Sequence, residues 1–237
     1  MKISLSEVMG DFNICLTDRM MLQFNRYYDL LIEWNKVMNL TGITDYNDVV
    51  IKHFVDSLSI VKAIDMNYIS NMIDIGTGAG FPGIPIKIVF PEIQVTLLDS
   101  LNKRIRFLDT VISELSLDNI NAFHGRAEEY AKNKNYREKY DLCVSRAVSN
   151  LSSLSEYCLP YVKVNGLFIS FKSGEIEKEL SESKRAIHIL GGQIKDVIKF
   201  NLPNTNINRS LILINKVRNT NDKYPRKTGI PTKEPLY

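Results

Sequence analysis

Between residues 71 and 190 short apolar runs alternate with helical patterns, and that alternation limits the fold of this 237-residue chain more than any other feature. Residues 72–75, 95–98, 120–123, 141–144 and 167–171 read as buried strands, and 103–115 and 175–190 as the clearest helices between them. Such alternation builds a parallel sheet covered on both faces. After "LGG" at 190–192 the helices stop. Residues 193–200 and 211–217 are two strands joined by a short polar link, which demands an antiparallel hairpin. The expected sheet therefore runs parallel first and ends on an antiparallel pair.

The flanks have a different texture. Ser4 and Glu7 have capping-box spacing. Met20, Phe24, Tyr27, Leu31, Trp34 and Met38 recur at steps of three or four, one face of an amphipathic helix. "NLTGITD" breaks that pattern, and a second helix is expected from about Asp48 with Ile51, Val55, Leu58 and Val61 on its buried side. The tail from Arg218 holds five Lys or Arg, two acids and three prolines, and is expected to be extended and largely exposed. The chain thus divides into a helical extension (1–66), an α/β domain (67–217) and a basic tail (218–237).

Composition narrows the classes. A net charge of +3 permits nucleic-acid contact without demanding it. Cys15, Cys143 and Cys158 show no C-x-x-C spacing, and His53, His124 and His188 are isolated, so neither a disulfide framework nor a metal site is expected. The N-terminus does not read as a signal peptide, and no apolar run approaches a membrane span. A cytoplasmic protein, monomeric and away from membranes, is expected.

Gly76, Gly78, Gly80 and Gly83 follow the first strand directly, and from Gly78 they spell the dinucleotide fingerprint G-x-G-x-x-G. Two features oppose that reading. Pro82 and Pro85 fall around the first helical turn and remove amides a pyrophosphate would want. Asp74, at the strand end, would repel a phosphate and suits a ligand bearing an ammonium group. Asp99 ends the next strand, where an acid accepts hydrogen bonds from ribose hydroxyls.

Asp74, the Gly76–Gly78–Gly80 loop and Asp99 together resemble the class I S-adenosylmethionine-dependent methyltransferases. That likeness implies a Rossmann-like, seven-stranded sheet with a final antiparallel hairpin, here with an N-terminal helical extension. In that superfamily the loop packs under the methionine part, and the first acid lies near its amino group. Ala127 and Glu128, after the third strand, stand where such enzymes face the adenine; locally, Glu128 is equally a first-turn acid favoured by the helix dipole.

The fourth strand ends in Ser145-Arg146-Ala147, without the Pro-Cys of covalent base methylation or the tetrad of exocyclic-amine enzymes. Cys143, flanked by apolar neighbours, is expected in the core. Arg146 could orient cofactor, RNA or an internal acid, and Lys172 is a second group at the same rim. His53 serves either the cleft or helix packing.

"EWNKVMNLTGITD", "KHFVDSL", "DIGTGAGFPGIPIKI", "LLDSLNKRIRFL", "GRAEE", "VSRAV" and "YPRKTGIPTKEPL" are similar, in this order, to the bacterial 16S rRNA guanine-N7 methyltransferases, also called glucose-inhibited division protein B. The likeness runs from about Glu33 to the end. It implies methyl transfer from S-adenosylmethionine to N7 of one guanine in 16S rRNA or the small ribosomal subunit. By position it assigns cofactor contacts to Asp74, Gly76, Gly78, Gly80, Phe81, Asp99, Ala127, Glu128 and Arg146. Arg146 is also the candidate catalytic residue, and Phe81 an apolar wall beside the sulfonium. Arg209, Lys223, Arg226 and Lys227 are the candidates for RNA phosphates. Other readings stay open at this level: a class I methyltransferase of another substrate, a non-catalytic sensor of the cofactor that binds RNA, and, distantly, a nicotinamide enzyme.

Overall fold

The computed structural model describes residues 3–146 and 149–236. Ala147 of the Ser-Arg-Ala motif lies outside the described residues. Three helical pieces come first: α1 (Leu5–Gly10), α2 (Asp18–Met38) and α3 (Tyr46–Val49). A π-helical stretch (Val50–Val55) continues α3 into α4 (Asp56–Leu58). Then β1 (Asn71–Ile75), α5 (Gly83–Val89), β2 (Gln94–Asp99), α6 (Asn102–Glu114), β3 (Ile120–His124), α7 (Ala127–Tyr130) and β4 (Tyr140–Arg146) alternate. They are followed by α8 (Leu151–Cys158), β5 (Val162–Ser173), α9 (Glu177–Ile189), β6 (Gly192–Asn201), β7 (Asn208–Lys216) and α10 (Ile230–Lys233).

The described strands form one seven-stranded sheet in the order β3-β2-β1-β4-β5-β7-β6. β1 to β5 pair in parallel, whereas β7 runs antiparallel to both β5 and β6. The expected parallel-then-hairpin sheet is present. Alternate residues of each strand feed two different cores, because successive side chains point to opposite faces. Met72, Leu142, Val144 and Ile169 join the extension, α5 and α6 on one face. Ile73, Cys143 and Phe168 join α8 and α9 on the other.

The order reverses between β1 and β4, so the carboxyl ends of those two strands flank the crevice where open α/β sheets collect ligands. The extension reaches that crevice. Thr17 caps α2 by accepting from the Met20 amide, and Asn39 ends it in the left-handed region at φ 50°. The buried stripe Phe24, Tyr27 and Leu31 packs onto the same core as Phe81 and Phe107. The second helix departs from the simple amphipathic expectation: the π-stretch and its continuation are buried nearly all round, from Val50 through Ser59 apart from half-buried Lys52.

The expectation of a largely exposed tail is met only in part: residues 221–223, 227–228 and 232–234 are exposed, but the tail is anchored at several points. Tyr224 and Pro231 are buried, and α8, which carries Ser152, Ser153 and Glu156 into the interior, is the reason. These buried polar groups require partners, and the tail supplies them. Ser153 Oγ donates to the Pro231 carbonyl at 2.6 Å, and Ser152 Oγ to that of Leu236.

Candidate active site

β1 runs into the glycine loop, which is built from below by Asp74. Its Oδ2 accepts from Thr77 Oγ1 at 2.7 Å and from the Gly83 amide at 2.9 Å. Asp74 is completely buried, which raises its pKa to about 7 against the opposing pull of those two hydrogen bonds and of Arg146. Its Oδ1 has no partner among the described residues. Asp74 thus shapes the loop rather than opening onto a cavity.

The same bonds dispose of the phosphate reading. At the start of α5 the Gly83 amide goes to Asp74 and the Ile84 amide to the Gly80 carbonyl at 2.8 Å. Pro82 and Pro85 have none to give. An anion would find no free donor there.

The glycines have distinct tasks. A Cβ on Gly78 would meet nothing nearer than the Gly76 carbonyl oxygen, at 4.0 Å, so its open side is available to a ligand. A Cβ on Gly80 would fall 2.7 Å from Tyr27 Oη and 2.5 Å from Ile84 Cδ1. Gly80 is small because α2 packs there, and Tyr27 Oη donates to the adjacent Ala79 carbonyl.

Two pockets lie at the carboxyl edge of the sheet. The first lies over the ends of β2 and β3, lined by Gly76, Asp99, Ser100, Ala127 and Glu128, with Tyr157, Gly229 and Thr232 opposite. Asp99 accepts from the Gly78 amide at 2.9 Å, the Leu101 amide at 2.9 Å and Arg104 Nη1 at 3.0 Å. Glu128, expected toward adenine, lines this pocket and accepts from the Gly229 amide at 2.9 Å.

The second pocket, lined by Lys52, His53, Asp56, Arg146, Lys172, Glu179 and Arg209, lies between the extension and the ends of β4, β5 and β7. Arg146 faces this cleft and does not line the first pocket. Its Nη1 donates to Asp56 Oδ2 at 3.0 Å and to the Lys52 carbonyl at 3.1 Å, and its Nη2 lies 3.2 Å from His53 Nδ1. Nδ1 lies 3.1 Å from the Lys52 carbonyl as well, and Nε2 lies 2.9 Å from Thr41 Oγ1, so both ring nitrogens are engaged. Burial and the neighbouring Arg146 charge push the His53 pKa down to about 3, so the ring is neutral. His53 therefore serves both packing and cleft. Lys172 donates to Glu179 Oε1 at 2.6 Å.

Phe81, expected as a wall beside the sulfonium, is buried and lines neither pocket. It stacks on His53 at 4.4 Å and on Tyr27 at 5.3 Å between centroids, and the Arg146 guanidinium carbon sits 5.1 Å from its ring centre.

The four cations expected at RNA phosphates separate into two groups. Lys223 and Lys227 are exposed. Arg209 is bound to Asp56 Oδ1 at 2.9 Å inside the cleft, and Arg226 is locked to fully buried Glu156 at 2.7 Å. Asp56 was not singled out in the sequence, although it follows His53 by three residues in "KHFVDSL" and so shares its helix face.

Comparison with known proteins decides the family. The model of GidB, rRNA small subunit methyltransferase G, matches residues 20–211. The chain belongs to this family. Ribosomal RNA small subunit methyltransferase G of Lachnoclostridium phytofermentans is 54% identical over 214 residues, 90% of this chain and 88% of that one. The protein of the same name from Desulforamulus reducens is 51% identical over 234 residues, 99% of this chain and 98% of its own. As a member of the rRNA small subunit methyltransferase G family, the chain is a methyltransferase of small-subunit ribosomal RNA.

Solved structures agree on the fold alone. YcgJ of Bacillus subtilis superposes with a TM-score of 0.54 at 12% identity, covering 70% of this chain and 100% of that one. M. jannaschii TYW2, solved in complex with AdoMet, gives 0.50 at 12% identity, covering 62% and 69%. No helix among the described residues is long and apolar enough to cross a membrane.

Proposed function

We propose that this chain transfers the methyl group of S-adenosylmethionine to N7 of a specific guanine in 16S rRNA, with the cofactor in the first pocket and the guanine in the second. The observation that carries this reading is that both pockets open at the carboxyl edge of the same sheet, the first at the ends of β1 and β2 and the second at the ends of β4 and β5, with Arg146 lining only the second.

The first pocket fits a nucleoside with one adjustment. Asp99 already has its acceptor positions occupied, so a ribose diol would take the place of half-exposed Arg104. Gly76 and Gly78 would lie under the methionine part. When bound, the cofactor supplies an electrophilic methyl on a sulfonium.

The cleft suits a nucleophile that needs no base. Guanine N7 carries an in-plane lone pair and no proton at neutral pH. Every acid and imidazole that lines the cleft is already engaged: His53 by Arg146 and Thr41, Asp56 by Arg146 and Arg209, and Glu179 by Lys172. Catalysis then rests on in-line positioning, with Arg146 held rigid to orient the base. Labelled-methyl transfer to purified 16S rRNA and to assembled small subunits, mapped to the modified base, tests the reading. Label on a pyrimidine, or on an exocyclic amine, would overturn it.

A further inference from the structure

The first pocket has a wall that the glycine loop and the strand-end acids do not supply. Gly229 and Thr232 line it across from Asp99 and Ala127. Both are held by interior groups rather than by solvent. The Gly229 amide donates to Glu128 Oε1, and among the described residues that buried carboxylate has no other hydrogen-bond partner. Thr232 Oγ1 lies 2.6 Å from Tyr157 Oη, and Tyr157 also lines the pocket. Just upstream, Arg226 closes on Glu156 with its amide, Nε and Nη2, at 2.7–3.1 Å. If the segment left, the buried Glu128 carboxylate would lose its hydrogen-bond partner, a state that folded chains avoid.

We propose that residues 229–232 complete the nucleoside end of the cofactor site, and that Glu128 is a positioning residue that holds this segment in place. The proposal rests on the cofactor reading above. Ends of β2 and β3 define the nucleoside side of such a crevice, and Gly229 and Thr232 share their pocket with Asp99 and Ala127. Arg146, which lines the second pocket, lines no part of it. The segment therefore touches what S-adenosylmethionine and S-adenosylhomocysteine have in common, and not the methyl that distinguishes them.

Calorimetric titration of both compounds into the full chain and into full-length variants tests this. Glu128→Ala is expected to weaken both by about tenfold, and by the same factor for each. Glu128→Gln keeps an acceptor for the Gly229 amide and should restore most of the affinity. A loss confined to the sulfonium compound, or Glu128→Ala binding within about twofold of the native chain, overturns the proposal. Because Glu128→Ala could fold poorly, hydrogen exchange on the native chain supplies an independent reading. Saturating S-adenosylhomocysteine should slow exchange of the Gly229, Ile230 and Thr232 amides, and unchanged exchange there overturns the proposal as well. A native chain that binds neither compound removes the cofactor reading and this inference with it, whereas native binding with unprotected 229–232 removes the inference alone.

Discussion

Arg146 at the end of β4 reaches Asp56 of α4 at 3.0 Å, and this pair joins the catalytic sheet to the helical extension. Both side chains are largely withdrawn from water, and Arg209 of β7 takes the other oxygen of the same carboxylate. A single acid therefore neutralises two cations in the cleft. Asp56→Asn leaves both without a counter-charge, and should lower unfolding free energy by about 3 kcal/mol, near the low end for broken buried pairs. Arg209→Ala leaves Asp56 still bound to Arg146 and should cost clearly less. Urea denaturation of the two variants measures the difference; equal losses would show that Asp56 does not bear this double load.

The two loop glycines should fail in different ways. Gly80→Ala drives a methyl against Tyr27 Oη and Ile84 at a left-handed φ of 96°, so a stability loss of about 2–3 kcal/mol is expected. Gly78→Ala meets open space at φ 64°, and backbone strain of about 1 kcal/mol is the main cost to folding. Its damage should fall on cofactor affinity instead. Thermal melts paired with calorimetry separate them, and a Gly78→Ala protein that melts as low as Gly80→Ala would contradict the assignment.

The tail cations give a third contrast. Lys223 and Lys227 face solvent, so replacing both by alanine should weaken binding to 16S rRNA. The slope of log affinity against log salt should fall by about 1 for each phosphate no longer neutralised. Arg226→Ala should act on folding, since it strands Glu156 inside α8's packed face, at about 3 kcal/mol. Filter binding across a salt series, with melts in parallel, distinguishes the two; an Arg226→Ala protein that melts normally and shows the shallower salt slope would restore Arg226 to the RNA face.

Much of this was legible in the sequence because it depends on local pattern. Buried parallel strands announce themselves as short apolar runs, and the prolines at 82 and 85 already excluded a phosphate seat. What the sequence hid depends on pairing across distance. Asp56 meets Arg209 across 153 positions, and Glu156 meets Arg226 across 70. A basic, proline-bearing tail reads as a solvated arm until the buried acid that receives it is known. Glu128 does stand in the first turn of α7, as its neighbours in sequence suggest, but the Gly229 amide it holds lies 101 residues downstream and could not be read locally.

Asp74 and His53 should tilt stability in opposite directions with pH. Burial raises Asp74 from 3.8 to about 7, so between those values the folded chain holds a proton that the unfolded chain has lost. Its contribution is full below 3.8 and disappears as pH rises through 7. His53 is lowered from 6.5 to about 3, so there the unfolded chain holds the extra proton. Its contribution is full above 6.5 and is lost as pH falls toward 3. Each slope is bounded at about 1.4 kcal/mol per pH unit, the value for one proton. Between about pH 4 and 6.5 the two nearly cancel in the native chain, and substitution should expose each. Asp74→Asn should gain stability with rising pH across that window, because only the His53 slope remains. His53→Gln should lose stability across the same window. Ring resonances of His53 should stay flat between about pH 5 and 8, and a midpoint near the free-imidazole value would show that burial and Arg146 do not hold the ring neutral.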